Sequence, residues 1–275
     1  MIGPASRSLL RERAVSGRAA ALALALLVAP GVASAQPWWE MLGISRGVSV
    51  PVWSYAGETG PERWADLAPE FAACRGERQS PVDLRDARYV TYSPLQFRYR
   101  SSTLSLVNDG RSLRARYRPG SYLSVGGRDY QLEEFHFHVP GEHRINGARA
   151  DMELQLLHRD RQGQLAVVAV PMMAGRRMNT TLTRIWDHIP ASGGTSYYNR
   201  QSGINPLFLL PPNRSYFSYP GSLTEPPCTE GVEWFVLTEP VEVDESYLHR
   251  LRQVIGHNAR PVQPLNGRPV IAVTR

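Results

Sequence analysis

The sequence predicts a mainly β domain with some α+β character, on three observations. Apolar and polar residues alternate with a period of two in short runs, turn-forming residues recur about every ten positions, and helical periodicity is weak. Leu104-Ser105-Leu106-Val107 runs into Asn108-Asp109-Gly110, and Tyr122-Leu123-Ser124-Val125 runs into Gly126-Gly127. Helical spacing is confined to short pieces such as 61–67 and 246–255. No internal repeat, low-complexity tract or second composition regime interrupts the chain, so 51–275 reads as one domain.

The segment 1–35 reads as a secretory signal. Arg7, Arg11, Arg13 and Arg18 form a basic start, an apolar run covers 19–29, and Ala33-Ser34-Ala35 offers a small-residue cleavage site before Gln36. The run is too short to span a bilayer, with an uncleaved anchor as the alternative. Residues 36–50, which include Trp38-Trp39, read as a linker. No later stretch is apolar enough to cross a membrane, so the expected address is the periplasm or the exterior.

The 275 residues carry a formal net charge of +6, of which the four Arg and one Glu of 1–35 supply half. All 31 basic residues are Arg. They are scattered, without the interleaved aromatic residues that single strands require, which argues against a nucleic-acid partner. Cys74 and Cys228 are the two cysteines. In an exported chain such a pair reads as a disulfide, with two buried thiols as the alternative. Closing so long a loop restricts the unfolded chain by about 5 kcal/mol in the chain-entropy picture.

Phe135-His136-Phe137-His138 sets two imidazoles on one strand face, because residues two apart point the same way and stand roughly 6.5–7 Å apart. Glu134 shares that face, and the phenylalanines take the other. Glu153-Leu154-Gln155-Leu156-Leu157 alternates in the same manner and could lie alongside. A catalytic tetrahedral metal site takes three protein ligands and leaves one position open. Alone, a His-x-His pair is weak evidence for one.

Ordered motifs strengthen it. Trp53-Ser54-Tyr55 with Gly60-Pro61-Glu62-Arg63-Trp64, then Gln79-Ser80-Pro81-Val82-Asp83, Phe135–His138 and Gly141-Glu142-His143 follow one another. Tyr219-Pro220-Gly221-Ser222-Leu223-Thr224, Pro226-Pro227-Cys228 and Asn258-Ala259-Arg260-Pro261-Val262-Gln263-Pro264-Leu265 complete the series. With these motifs the mature chain resembles the α-class carbonic anhydrases, exported bacterial members included.

The resemblance implies a large, twisted, mostly antiparallel sheet with a conical cavity, Zn2+ at its floor and short peripheral helices. It assigns His136 and His138 as ligands and Gln155 to the third ligand position, with Glu134 and Glu153 supporting them. Thr224, hydrogen-bonded to Glu142, would orient hydroxide, which attacks carbon dioxide held by Val167, Leu157, Leu223 and Trp234. Cys74 and Cys228 fall where bacterial members carry their disulfide. His143 and His158 are expected to be structural, and His188, His249 and His257 to lie at the surface.

Four positions depart from the family pattern. Gln155 replaces a histidine, and an amide oxygen is a harder, weaker ligand for zinc than imidazole. Glu153 could accept from the Gln155 NH2 group and turn the oxygen to the metal. Arg111 stands at the proton-shuttle position, where a histidine gains and loses protons near neutrality and arginine does not. Glu225 replaces a hydroxyl residue beside Thr224, and Glu134 a glutamine. Arg111 could pair with either acid across the cavity, which would close the site. Glu225 could also ligate an ion, completing a mixed N/O set.

The expected function is therefore that of a carbonic anhydrase-like protein. The family interconverts carbon dioxide and bicarbonate, and in this chain that activity is expected to be weak or lost. The alternative is a non-catalytic, carbonic-anhydrase-related binding protein.

Overall fold

A computed structural model of the chain describes residues 51–91 and 93–274. The expected signal segment 1–35 and linker 36–50, Trp38-Trp39 included, lie outside the described residues.

A mixed, mostly antiparallel sheet of thirteen strands dominates these residues. Near its centre the strand Leu165–Gly175 pairs antiparallel with Met152–Arg159 and parallel with Glu230–Leu237. A strand covered on both faces needs apolar side chains at every position. Leu165-Ala166-Val167-Val168-Ala169-Val170-Pro171-Met172 meets that need and is buried throughout. Nearer one edge, Ser102–Asn108 alternates buried and half-buried residues, the pattern of a strand with one wet face. Gly126 and Gly127, with φ of 56° and 78°, turn Tyr122–Val125 back into Arg128–His138. Both positions of such a two-residue turn need positive φ, which glycine adopts without strain.

The sheet separates two apolar layers. Phe135, Phe137, Leu154, Leu156 and Val168 face a larger core shared with the helices Thr180–Trp186 and Glu245–Ile255. Val167, Trp234, Tyr219 and Val236 form a smaller cluster elsewhere. The phenylalanines thus take the core side and leave the histidines the other, as the period of two requires. In Glu245–Ile255 the Asp244 carboxylate caps the first turn, accepting from the Ser246 backbone N–H at 3.0 Å.

Two helical details differ from the sequence pattern. Within 61–67 only Trp64–Leu67 is helical, because the first residues form a turn. Thr180–Trp186 shows no periodicity in sequence, since seven residues make barely two turns. Its Asn179 cap, accepting from the N–H groups of Thr181 and Leu182, is the local signal for it.

Cys74 and Cys228 are joined as a disulfide. The bridge packs with Trp53, Trp64 and Phe71, fastening the first described segment to the loop between Tyr216–Ser222 and Glu230–Leu237. That loop carries Thr224 and Glu225.

Candidate metal centre

Register brings the centre together. Arg114 lies opposite His136 on one side and Gln155 lies opposite it on the other, while Glu153 faces His138. Directly opposed residues put their side chains on the same face. One row therefore holds Arg114, His136 and Gln155, and the next holds His138 and Glu153.

His138 is fully buried, and its Nδ1 lies 2.7 Å from the Asn258 carbonyl oxygen. A carbonyl only accepts, so Nδ1 carries the proton and Nε2 presents a lone pair. That Nε2 is buried with no hydrogen-bond partner. Nδ1 of His136 stands 3.5 Å from Glu134 Oε1, and its Nε2 donates to the acceptor-only Gln155 Oε1 at 3.3 Å, a proton that a bound cation would displace.

The Gln155 amide is oriented by its surroundings. Its Nε2 donates to Glu142 Oε2 at 2.8 Å and to Glu153 Oε1 at 2.9 Å. Two carboxylates can only be met by the NH2 end, which leaves the oxygen turned to His136. Glu153 also accepts from the backbone N–H groups of Glu142 and His143 and from His143 Nδ1. Burial pushes the Glu153 carboxyl up, but the His143 charge and these donors outweigh it and hold it at about 2.

Donors in a tetrahedral site at roughly 2.0–2.1 Å from the ion stand about 3.3–3.4 Å from one another. The His136–Gln155 separation matches that edge. Ligand atoms of His136, His138 and Glu225 lie within 4.8 Å of one another as well. Two imidazoles, an amide oxygen and a carboxylate are a donor set that fits a divalent cation.

Above these donors lies a buried ion cluster. Arg114 Nη1 donates to Glu134 Oε1 at 2.7 Å and Nη2 donates to Glu225 Oε2, while Asp109 Oδ2 is 3.6 Å from Nε. Glu225 Oε1 also accepts from the Tyr55 hydroxyl at 3.0 Å. Burial raises the Glu134 and Glu225 carboxyls, yet the Arg114 charge, ahead of any other neighbour, holds both at about 2. Both stay ionised.

Two expectations are corrected here. Arg111 pairs with neither acid: it donates to the Trp53 carbonyl at 3.2 Å and lies 4.3 Å over the Trp53 ring. Arg114 takes the acids instead, because its strand position opposite His136 aims it into the row. Sequence reasoning passed over Arg114, although Arg114 and Arg116 fall on the face that Leu113 and Ala115 leave, which was the available signal. The second correction concerns Thr224, which is buried but makes no hydrogen bond to Glu142 among the described residues. Glu142 Oε2 is taken by Gln155, and Oε1 accepts from the Arg260 backbone N–H at 2.8 Å.

Other predicted residues fall as follows. Val167 lies opposite both Leu157 and Trp234, and Leu223 packs on the same apolar cluster. His143 is held between Glu153 and the Tyr219 hydroxyl, 2.7 Å from Nε2. His158 Nε2 meets the Tyr99 hydroxyl at 2.6 Å, and burial depresses its pKa to about 3, so this ring stays neutral. His249 and His257 are exposed, and His188 lies half-buried against Tyr197. No helix among the described residues is long and apolar enough to cross a membrane.

Comparison with known proteins identifies the family. The sequence profile of the eukaryotic-type carbonic anhydrase family matches residues 59–274. A carbonic anhydrase of Nostoc sp. is 41% identical over 225 residues, covering 80% of this chain and 85% of the relative. The solved structure of an α-carbonic anhydrase from Thermovibrio ammonificans, with the inhibitor sulfanilamide, has a TM-score of 0.78 at 39% identity, covering 81% of this chain and all of that one. Dioscorin complexed with ascorbate superposes with a TM-score of 0.76 at 32% identity, covering 82% of this chain and 98% of that one. Fold and relatives agree, and the chain belongs to the α-class carbonic anhydrase family.

Proposed function

We propose that this chain is an exported carbonic anhydrase-like protein that keeps the metal position but hydrates carbon dioxide weakly or not at all. His136, His138 and Gln155 would hold the metal, with Zn2+ the family's ion. Zinc, when bound, supplies the Lewis acid that makes hydroxide available near neutral pH. Val167, Leu157, Leu223 and Trp234 supply the apolar surface on which carbon dioxide would rest.

The observation that carries the reading is the Gln155 amide donating to Glu142. To orient a nucleophile by accepting its proton, Thr224 must pass its own hydroxyl proton to an acceptor. Glu142 is that acceptor in the family, and here Gln155 and Arg260 donate to its two oxygens while Thr224 makes no hydrogen bond to it. The same substitution that exchanges an imidazole for an amide therefore also uncouples Thr224. Arg111, stacked on Trp53 and unable to release a proton near neutrality, offers no shuttle.

A second reading, a non-catalytic binding protein of the same family, is favoured by the Arg114–Glu134–Glu225 cluster, which fills the space over the histidines with paired charge. The deciding experiment measures zinc content and carbon dioxide hydration for the wild type and Gln155→His. The expected result is low hydration in the wild type, with more zinc and faster hydration in the variant. Full zinc occupancy with brisk hydration in the wild type would overturn the proposal. A variant that gains zinc yet stays inert would favour the binding protein.

A further inference from the structure

Arg114 is one cation facing three carboxylates, those of Asp109, Glu134 and Glu225. The balance of two negative charges, held in a largely buried site, is the charge of one divalent cation. Unpaired buried charge is costly, so such a site favours a cation that completes it. A second, independent observation points to the same place. The buried Nε2 of His138 presents a lone pair with no partner, and the Glu225 carboxylate lies within 4.8 Å of both histidine donor atoms. Closing from 4.8 Å to a tetrahedral edge of about 3.4 Å takes a side-chain shift of roughly 1–1.5 Å.

We propose that Glu225 is a metal ligand, the fourth donor of a closed His136–His138–Gln155–Glu225 centre for a divalent cation. The inference rests on the metal position being retained and adds to it what fills the fourth corner. Structural metal sites are closed by protein donors, whereas catalytic ones leave a corner for water. Amide and carboxylate oxygens beside two imidazoles suit an ion of borderline hardness. Arg114 then keeps Glu134, and Tyr55 keeps its contact with the second Glu225 oxygen.

The test titrates the full mature chain, stripped of metal, with Zn2+ and separately with Co2+, for the wild type, Glu225→Thr and Glu225→Ala. Near-ultraviolet circular dichroism establishes that each variant is folded, and the two substitutions guard against one failing to fold. Loss of a ligand should weaken both ions at least about tenfold, since even groups behind a ligand are worth that much. The visible spectrum of the Co2+ wild type should ignore added azide, because no corner is open, and that of Glu225→Thr should respond. Affinities within twofold of one another, an azide-sensitive wild-type spectrum, or a wild type that binds neither ion would each overturn the proposal. Turnover tests the proposed function, and the order of metal affinities tests this inference, so either can fail alone.

Discussion

Replacing Arg114 by leucine should expose the electrostatic economy of the site. The substitution leaves Glu134 and Glu225 buried without their guanidinium, and breaking a buried ion pair from one side costs about 3–5 kcal/mol. For a domain of this size each kcal/mol shifts Tm by roughly 2–4 °C, so the loss should be roughly 6–20 °C. The pH dependence carries more information than the size. In the wild type both carboxyls sit at about 2, below their unfolded value of about 4.3. Their contribution is present above the unfolded value and lost as pH falls through the folded one. In Arg114→Leu the largest influence opposing burial is gone, leaving Glu134 only His136 and Glu225 only Tyr55 and the histidines, so both carboxyls rise towards and past the unfolded value. Their ionised forms then destabilise the fold at pH 7, and acid relieves the strain by protonating them. Urea denaturation of disulfide-intact protein at pH 7 and pH 4 should therefore give a gap between wild type and variant that narrows at pH 4. A loss below about 1 kcal/mol at pH 7, or a gap unchanged at pH 4, would refute the reasoning.

Two further outcomes are expected. Any carbon dioxide hydration by the wild type should rise with the concentration of imidazole-type buffer, because Arg111 lies on Trp53 and relays no proton; stopped-flow rates indifferent to buffer would show another group doing so. His158, depressed to about 3 by burial, binds a proton in the unfolded chain below about 6.5 but not in the folded one, so stability falls as pH drops through that window. Against His158→Gln, the wild type should lose more stability between pH 6.5 and 4, measured by urea midpoints; parallel pH profiles would show that His158 is not the source.

Much of the fold and part of the site are legible in the sequence, for reasons that can be stated residue by residue. The period of two at Phe135–His138 fixes which side chains meet the core and which meet the site, because strand geometry admits no other arrangement. The Gly126-Gly127 turn is legible because its backbone angles exclude most other residues. Gln155 stands out because an amide at a ligand position changes the chemistry visibly. Arg114 is legible only as one of two arginines on a strand face, since its role depends on which strand lies beside His136, and the pairing of 114–116 with 134–136 skips the intervening strand Tyr122–Val125. The Gln155–Glu142 contact, only 13 residues apart in sequence, is hidden because it depends on where the turn after His138 brings Glu142. Reading Arg111 as the partner of the acids placed charge by motif position, whereas the strand register decides it.

The hydrogen bond from His138 to Asn258 has a consequence for how the protein is made. A ribosome delivers His138 long before it delivers Asn258, 120 residues later. Asn258 also accepts from the Val139 N–H and donates to the Phe137 carbonyl, so it clasps the end of the histidine strand. Arg260, two residues on, supplies the backbone donor to Glu142. A nascent chain thus holds every metal-binding side chain well before it holds the segment that aims them. Metal capture in the native geometry must follow synthesis of Asn258 and Arg260, and a protein cut short before Asn258 would carry the ligands without the carbonyl that fixes the His138 tautomer.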